Sequence, residues 1–313
     1  MECSEKQQRK GLLSGYSKIE KKRLPFVALL LAFPILQFLI FYVGVNIQSF
    51  LLAFQKYDGK TASFYFDAQD LWVNFQKVHY ELTETSILLI SLKNSLILWA
   101  ATSIVGTVAA VFFSYYIYRQ KGTGRFFRFI LFIPSILPAV LLAIVFKLFT
   151  GDVIPVLFDA PKVLEAEPSV RFTAVVFYTV WIGFGTQILL YTGTMEQISP
   201  AVIEAGQIDG VTPMKELWYI IIPEVVPTVG TFLVAGVAGA FMNQANLYNF
   251  YGQTASSDNY TLGYYMFSMV QKNVDLGYGE AFYPYASAVG LCCTLLAVPP
   301  TLLLRKFFAK FEE

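Results

Sequence analysis

Six apolar stretches, each about 20 residues or longer, limit what this chain can fold into. A helix needs about 20 mostly apolar residues to cross the hydrocarbon core of a bilayer, and helices satisfy their own backbone there. The composition agrees, because 56% of the 313 residues are hydrophobic and only 14% are charged. We therefore predict an all-α integral membrane protein with six transmembrane helices. The predicted spans cover residues 25–45, 94–118, 126–149, 172–195, 224–248 and 284–305.

The segments outside the spans predict the domain organisation. Residues 1–24 are polar and basic, and we expect them to form a tail. The apolar run after them is longer than that of a removed signal peptide and has no small-residue cleavage site. Residues 25–305 form one six-span domain, and residues 306–313 form a second tail. Long connections rich in Tyr, Phe, Asp, Asn and Gly are predicted on the outer side at residues 46–93, 150–171 and 250–283, and the last is a candidate for docking or gating.

Positive charge is distributed unevenly between the two sides of the membrane. When the six spans alternate in direction, most of the 23 lysines and arginines fall on one side. By the positive-inside rule that side is the cytoplasm, and it includes both termini and the loops 119–125 and 196–223. The basic residues on this side are Lys6, Arg9, Lys10, Lys18, Lys21, Lys22, Arg23, Arg119, Lys121, Arg125, Arg128, Lys215, Arg305, Lys306 and Lys310.

Few residues could carry catalysis or bind a metal ion. His79 is the only histidine, and nothing near it has the spacing of a metal site. Cys292 and Cys293 are adjacent in an apolar run and Cys3 lies far away, which predicts packing rather than a disulfide. No nucleophile–base pair is apparent. We therefore predict no enzyme activity, no metal and no cofactor, and the net charge of +1 without a basic–aromatic face predicts no nucleic-acid partner.

The predicted cytoplasmic loop 199–223 is charged and punctuated by proline and glycine. A serine hydroxyl before Pro200 predicts a capped helix start, and Gly210 predicts the end of that helix. Thr212-Pro213 predicts a second start, and Pro223 predicts the end of the second helix at the membrane surface.

The first of these helices has a surface that favours contact with a protein. Ala201, Ala205 and Ile208 share a stripe, and Gly206 leaves little side chain beside it. Glu204 and Asp209 add charge at the edge of the stripe. A helix lying on its own bilayer would instead carry Lys and Arg opposite large apolar residues. We therefore predict a docking surface for a partner protein.

The fifth predicted span contains an unusual number of carboxamides. Side chains of this kind are costly in hydrocarbon unless they face a cavity or one another. As a helix, this segment would place Asn243, Asn246 and Asn249 in one row, and nearby aromatic rings suit the apolar face of a sugar. Hydrogen bonding to a second membrane subunit is an equally good explanation of the residues alone. The carboxamides are Asn243, Gln244, Asn246 and Asn249.

The loop resembles the signature of the membrane subunits of binding-protein-dependent ABC importers. That signature is Glu-Ala-Ala, three residues, Gly, nine residues, Ile, one residue and Leu-Pro. The matching residues here are Glu204, Ala205, Gly206, Gly210, Ile220, Ile222 and Pro223, with Asp209 before the glycine as in the sugar branch. Gly206 replaces the second alanine and Ile222 replaces leucine, and both changes are compatible with docking.

The resemblance implies a type I ABC importer permease fold with a cytoplasmic coupling helix. Loop 199–223 would insert into a cytoplasmic ATPase subunit through Glu204, Ala205, Gly206, Asp209 and Gly210. The chain lacks the Gly-x-x-x-x-Gly-Lys-Ser/Thr phosphate loop, so ATP hydrolysis must come from a partner. The implied assembly contains a second, similar permease as a heterodimer, two ATPase subunits and an extracytoplasmic solute-binding protein, in a bacterial or archaeal cell membrane.

Similarity to the maltose-type permeases favours sugar contacts for Asn243 and Asn246. The span before the loop matches a segment of the sugar site in those proteins, which adds candidates in that span. They are Thr179, Gly183, Gln187 and Tyr191. No Arg or Lys lies in the middle of a span, since Lys147 is near the outer end of the third, which favours a neutral oligosaccharide over an anion.

Two alternatives to a sugar importer remain at the level of the sequence. An ion-coupled secondary transporter would need a carboxylate deep in a span and repeated halves, and neither is apparent. An ABC importer for amino acids or oxyanions would share the loop and differ only in its ligand. The carboxamides and the Asp209-Gly210 pair favour the sugar.

Overall fold

The computed structural model describes residues 18–120, 122–275 and 279–311, and shows a helical membrane protein. Most of the predicted N-terminal tail, residues 1–17, lies outside these ranges. In the described ranges six helices are long and apolar enough to cross a membrane, which confirms the predicted all-α architecture of six spans. The six are Leu29–Leu52, Ile87–Arg119, Ala139–Phe158, Pro168–Met195, Pro213–Gly239 and Glu280–Phe311.

Several spans consist of two α-helices joined by a π-helical turn, so that the backbone stays hydrogen-bonded internally along the span. The α-helices are α1 (Lys18–Gln37), α2 (Val45–Leu52), α3 (Val73–Tyr80), α4 (Ile87–Ala100), α5 (Thr107–Arg119), α6 (Gly124–Ile136), α7 (Ala139–Leu148), α8 (Ile154–Phe158), α9 (Pro168–Met195), α10 (Pro200–Ile208), α11 (Pro213–Glu216), α12 (Ile222–Gly239), α13 (Leu247–Tyr251), α14 (Leu262–Asp275) and α15 (Tyr283–Phe308).

A short hairpin follows the first span. Strands β1 (Lys56–Asp58) and β2 (Ser63–Tyr65) are antiparallel, with Tyr57 opposite Phe64. Lys56 Nζ lies 2.8 Å from a carboxylate oxygen of Asp67, and this contact lowers the pKa of the Asp67 carboxyl. The spans alternate in direction, so α5, α9 and α15 all end on the side that carries α10. We call this side the α10 face and the opposite side the hairpin face.

The predicted third span is interrupted near its middle, and only its second half belongs to the membrane helix Ala139–Phe158. The sequence predicts one helix over residues 126–149, but Leu137 and Pro138 have extended backbone angles, with ψ of 145° and 131°. They separate α6 from α7, because the residue before a proline avoids the helical conformation. Both helices run antiparallel to α9, since Arg128 contacts Glu196 near one end of α9 and the Tyr178 hydroxyl contacts the Ala139 carbonyl nearer the other.

The structure of the fifth span differs from the sequence prediction in two ways. Pro223 does not end a helix, because α11, a π-helical turn over Leu217–Ile221 and α12 form one continuous helix from Pro213 to Gly239. The π-helical turn immediately before Pro223 shifts the hydrogen-bond register and accommodates the missing amide. The span also ends at Gly239 rather than at residue 248. The carboxamides therefore lie beyond the helix, where the backbone can turn.

Two apolar clusters stabilise the bundle. The larger lies toward the hairpin face and includes Tyr178, Phe250 and Tyr264, all nearly inaccessible to solvent. The smaller lies toward the α10 face and joins Tyr191 and Leu217 with residues of α5. In the first span, none of the most apolar 18-residue window is buried within the chain. Most of the surface of that span is therefore available to lipid or to another subunit.

Candidate functional site

Helix α10 begins and ends much as its sequence predicts. Pro200 occupies the first turn, where its missing amide costs no hydrogen bond. The Ser199 hydroxyl does not cap the helix, so the predicted capping bond is wrong. At the other end the Val211 amide donates to the Gly206 carbonyl at 2.9 Å and the Gly210 amide donates to Gln207 at 3.1 Å. This is a Schellman motif, and Gly210 supplies its left-handed residue with a φ of 75°.

The residues of α10 divide between two faces. Ala201, Ala205 and Ile208 are exposed, and Ile208 is 87% accessible to solvent. Gly206 points the other way, because a Cβ added there would lie 3.0 Å from the Ile220 Cδ1 atom. The exposed face of α10, which we call its free face, therefore combines small side chains with one large apolar side chain. Gly206 contributes to that face only indirectly, by letting α10 lie close to the helix that follows it.

The charged residues predicted for docking occupy different positions. Asp209 is exposed at the end of α10. Glu204 is also exposed, but its side chain lines a cavity between α10 and the rest of the protein. The five predicted coupling residues are thus close together in the chain, although they do not share one face.

A polar cluster attaches the start of α11 to the second span. The Tyr115 hydroxyl lies 2.7 Å from the Pro213 carbonyl oxygen and 3.1 Å from Oε1 of Glu216. Arg119 donates to the Tyr115 hydroxyl at 3.2 Å, and its guanidinium lies 3.8 Å from the Glu216 carboxylate. The Glu216 side chain is only 5% exposed, and this cluster compensates its burial. The sequence analysis did not predict this cluster, although the second span ends with a tyrosine and an arginine four residues apart.

Beyond the fifth span the carboxamides shape a break in the helix rather than a polar row. Ala245 and Asn246 adopt left-handed angles, with φ of 51° and 55°. The Asn243 side-chain oxygen accepts a hydrogen bond from the Ala245 amide at 2.8 Å. Asn249 donates to the Asn246 side chain at 3.0 Å. The prediction that Asn243, Asn246 and Asn249 form one helical face is therefore wrong, because asparagine tolerates turns that a helix cannot contain.

The break packs closely against neighbouring elements. A Cβ at Gly263 would lie 2.4 Å from the Met242 carbonyl oxygen, so only glycine fits between α14 and the break. Lys147 donates to the Phe250 carbonyl at 3.1 Å. Asn243 is exposed, whereas Gln244, Asn246 and Asn249 are half-buried. The Asn243 amide group is therefore the most accessible of the four carboxamides.

The segment after the break is anchored to the second span. Asn94 donates to the carbonyls of Asp258 and Tyr260 at 2.8 and 3.0 Å, and the Ser95 hydroxyl accepts from the Leu262 amide at 2.8 Å. These contacts turn much of the predicted connection 250–283 into a packed part of the bundle. Residues 276–278 lie outside the described ranges. The sequence analysis did not predict this attachment, although two adjacent polar residues in an apolar span, Asn94 and Ser95, could have indicated it.

The candidates on α9 lie four residues apart in one row but have different surroundings. Thr179 is buried and donates to the Val175 carbonyl of its own helix, whereas Gly183 is exposed. Gln187 has a buried side-chain oxygen with no partner among the described residues. Tyr191 is fully buried, and its ring packs edge-on against Phe232 at 5.5 Å.

Only the end of this row toward the hairpin face lies near the break. The ring of Tyr178, which precedes Thr179, lies 4.9 Å from that of Phe250. Tyr191 is twelve residues beyond Thr179 on α9, which places it about 18 Å from Thr179 by the rise of a helix. The structure thus brings Thr179 close to the break, but not Gln187 or Tyr191.

The comparisons with known proteins agree with this architecture. The model of the family "binding-protein-dependent transport system inner membrane component" matches residues 102–311. The multiple sugar-binding transport system permease protein MsmF of Streptococcus mutans serotype c (strain ATCC 700610 / UA159) is 22% identical over 201 residues, which cover 62% of this chain and 67% of that protein. The probable ABC transporter permease protein YurN of Bacillus subtilis (strain 168) is 21% identical over 307 residues, covering 94% and 99%.

A solved structure extends the similarity to the fold. A bacterial ABC transporter involved in the import of the acidic polysaccharide alginate contains a chain that matches with a TM-score of 0.73 and 19% identity, covering 95% of this chain and 99% of the other. The shared fold is that of an ABC importer permease. Since the family model spans the second to the sixth membrane helix, the chain belongs to the family of binding-protein-dependent transport system inner membrane components.

Proposed function

We propose that this chain is the permease subunit of an importer that moves a carbohydrate into the cytoplasm, driven by ATP hydrolysis in a separate subunit. Family membership supports a transport subunit that depends on a binding protein. Its relatives support carbohydrate as the substrate, because MsmF belongs to a multiple sugar-binding transport system and the structural neighbour is involved in the import of alginate.

The attachment of α10 is the observation that carries the proposal. One face of α10 is free, while Gly206 lies against Ile220 and the Schellman motif fixes the exit of the chain. The cluster around Glu216 joins the next helix to the second span. A partner that moves α10 would therefore move α11 and the continuous fifth span with it. This is the mechanical property that a coupling helix needs.

The proposed assembly contains this chain, a second permease, two cytoplasmic ATPase subunits and an extracytoplasmic solute-binding protein. Both termini and the α10 face lie in the cytoplasm, as the distribution of Lys and Arg favours. Alternating access opens the sugar path outward when the ATPases close and inward when they separate. The largely exposed first span supports a neighbouring membrane subunit, since lipid or another subunit must cover it.

The proposed sugar contacts are at the break after the fifth span. Asn243 has an exposed amide group there, and Tyr248 is 41% exposed nearby, so that a donor and an aromatic ring are both available. Thr179 borders the same region, while Gln187 and Tyr191 are candidates deeper in the membrane. Lys147 is engaged by the Phe250 carbonyl, and its position near the end of α7 favours a neutral sugar.

Co-purification tests the proposed partner. A tagged full-length chain extracted gently from its own membrane should bring down an ATPase that contains a phosphate loop. Ala205→Arg, on the free face of α10, should abolish this association. Gln207→Arg introduces the same side chain on the cavity side of the same helix and should preserve it. Loss in both folded variants, or in neither, would contradict docking through the free face.

A further inference from the structure

A cavity of about 700 Å³ lies on the α10 face, between the turn that joins α5 to α6 and helix α10. The end of α5 and the start of α6 contribute arginines on one side. The end of α9, α10 and α11 contribute glutamates on the other sides. Its volume is in the range of small-molecule sites. The charged residues that line the cavity are Arg119, Arg125, Arg128, Glu196, Glu204 and Glu216.

Two ion pairs cross the cavity. Arg119 of α5 pairs with Glu216, and Arg128 of α6 pairs with Glu196. Arg125 and Glu204 form no ion pair with any residue in the described ranges. The Nε of Arg128 is buried and has no acceptor among the described residues. The cavity thus offers the exposed, unpaired guanidinium of Arg125 on one side and the exposed, unpaired carboxylate of Glu204 on the other.

An apolar groove of about 360 Å³ adjoins the cavity, and Ile117 lines both. The groove lies along α5 and α6, whose apolar residues run from the α10 face into the membrane. Phe112, Phe113, Tyr116 and Phe127 in it are 40 to 46% exposed. The rings of Tyr116 and Phe127 meet edge-on at 5.5 Å and connect its two sides. A hydrocarbon chain is the ligand that such a surface accepts at this depth.

We propose that the cavity and the groove together bind one phospholipid whose headgroup carries a primary amine. The phosphodiester accepts hydrogen bonds from Arg125 and from the accessible part of the Arg128 guanidinium. The ammonium group donates to Glu204, and one acyl chain lies along Phe112 and Phe127. A headgroup with both charges matches the two sides of the cavity better than an anionic headgroup, which would meet Glu204 without a cation of its own.

The bound lipid would link α10 to the membrane surface. Glu204 belongs to α10, whereas Arg125 and the groove belong to α5 and α6. A lipid that contacts both would limit how far α10 can separate from the bundle. The inference does not depend on the proposed sugar or on the ATPase, because lipid binding is measured on the isolated chain.

Native mass spectrometry of the full-length chain tests the site. The chain is released from nanodiscs that contain equal amounts of phosphatidylethanolamine, phosphatidylglycerol and phosphatidylcholine. We expect one retained phosphatidylethanolamine, with about tenfold less in Arg125→Gln and in Glu204→Gln, a factor that corresponds to about 1.4 kcal/mol. Arg305→Gln, an exposed position at the end of α15 outside the cavity, is the matched control and should retain the lipid.

Phosphatidylcholine should bind more weakly, because its quaternary ammonium cannot donate a hydrogen bond to Glu204. Equal retention of the three lipids, or of phosphatidylethanolamine across all variants, would overturn the proposal. Displacement of the lipid by water-soluble glycerophosphoethanolamine at millimolar concentration would also overturn it, since the groove would then contribute nothing. If Arg125→Gln instead loses only the ATPase in co-purification, the cavity receives the protein partner and not a lipid.

Discussion

Asn243 has a different role from the one its sequence context indicates. The spacing of the carboxamides predicts a polar helical row, but their side chains hydrogen-bond to the backbone and to each other where the helix has ended. The sequence identified the right residues as unusual, because four carboxamides in an apolar segment need partners. It could not identify the partners, since asparagine competes with helix formation only when the tertiary structure offers a turn.

Substitutions of Asn243 separate its structural role from contact with a sugar. Asn243→Asp keeps the oxygen that accepts from the Ala245 amide and removes the amide donors. If those donors bind sugar, uptake should fall about tenfold or more in both Asn243→Ala and Asn243→Asp, because a site built to bond a hydroxyl is left incomplete. The measurement is initial uptake in cells with matched amounts of the assembled chain. Normal uptake in Asn243→Asp, with loss in Asn243→Ala, would leave only the structural role.

The elements around α10 follow local rules that a sequence reveals well. Proline at a first turn and glycine after a last turn predict both ends of α10. The continuation through Pro223 was not predictable in the same way, because it depends on a π-helical turn that packing stabilises. Pro138 could have predicted the division of the predicted third span into α6 and α7. The length of the apolar run favoured a single helix instead.

Tyr115→Phe should weaken the connection between α11 and the second span. The change leaves the buried Glu216 carboxylate with one donor fewer, which costs about 1–3 kcal/mol in local stability. We expect ATPase binding to persist, while more ATP is hydrolysed for each sugar imported by reconstituted vesicles. Tyr116→Phe removes a hydroxyl from the neighbouring, exposed tyrosine and is the control. An unchanged ratio of ATP to sugar in Tyr115→Phe would show that the cluster does not transmit the movement.

At the scale of the molecule, the amount and order of apolar sequence predict six spans and their alternation, and the structure has both. The packing of the segment after the fifth span onto Asn94 and Ser95 joins residues more than 160 positions apart, and no local pattern specifies such a contact. Within the described ranges, the free face of α10 and most of the surface of the first span are not covered by other parts of the chain. Both are explained if the chain works as one subunit of a larger assembly.

Site-specific crosslinking from α10 tests this account most directly. A photoreactive amino acid replaces Ile208, whose side chain is 87% exposed on the free face. Irradiation of intact cells is followed by mass spectrometry of the crosslinked peptide. The account predicts a peptide from an ATPase with a phosphate loop at Ile208, and much less of it when the same amino acid replaces Gln207. Crosslinks from Ile208 only to lipid, or to a protein without such a loop, would contradict it.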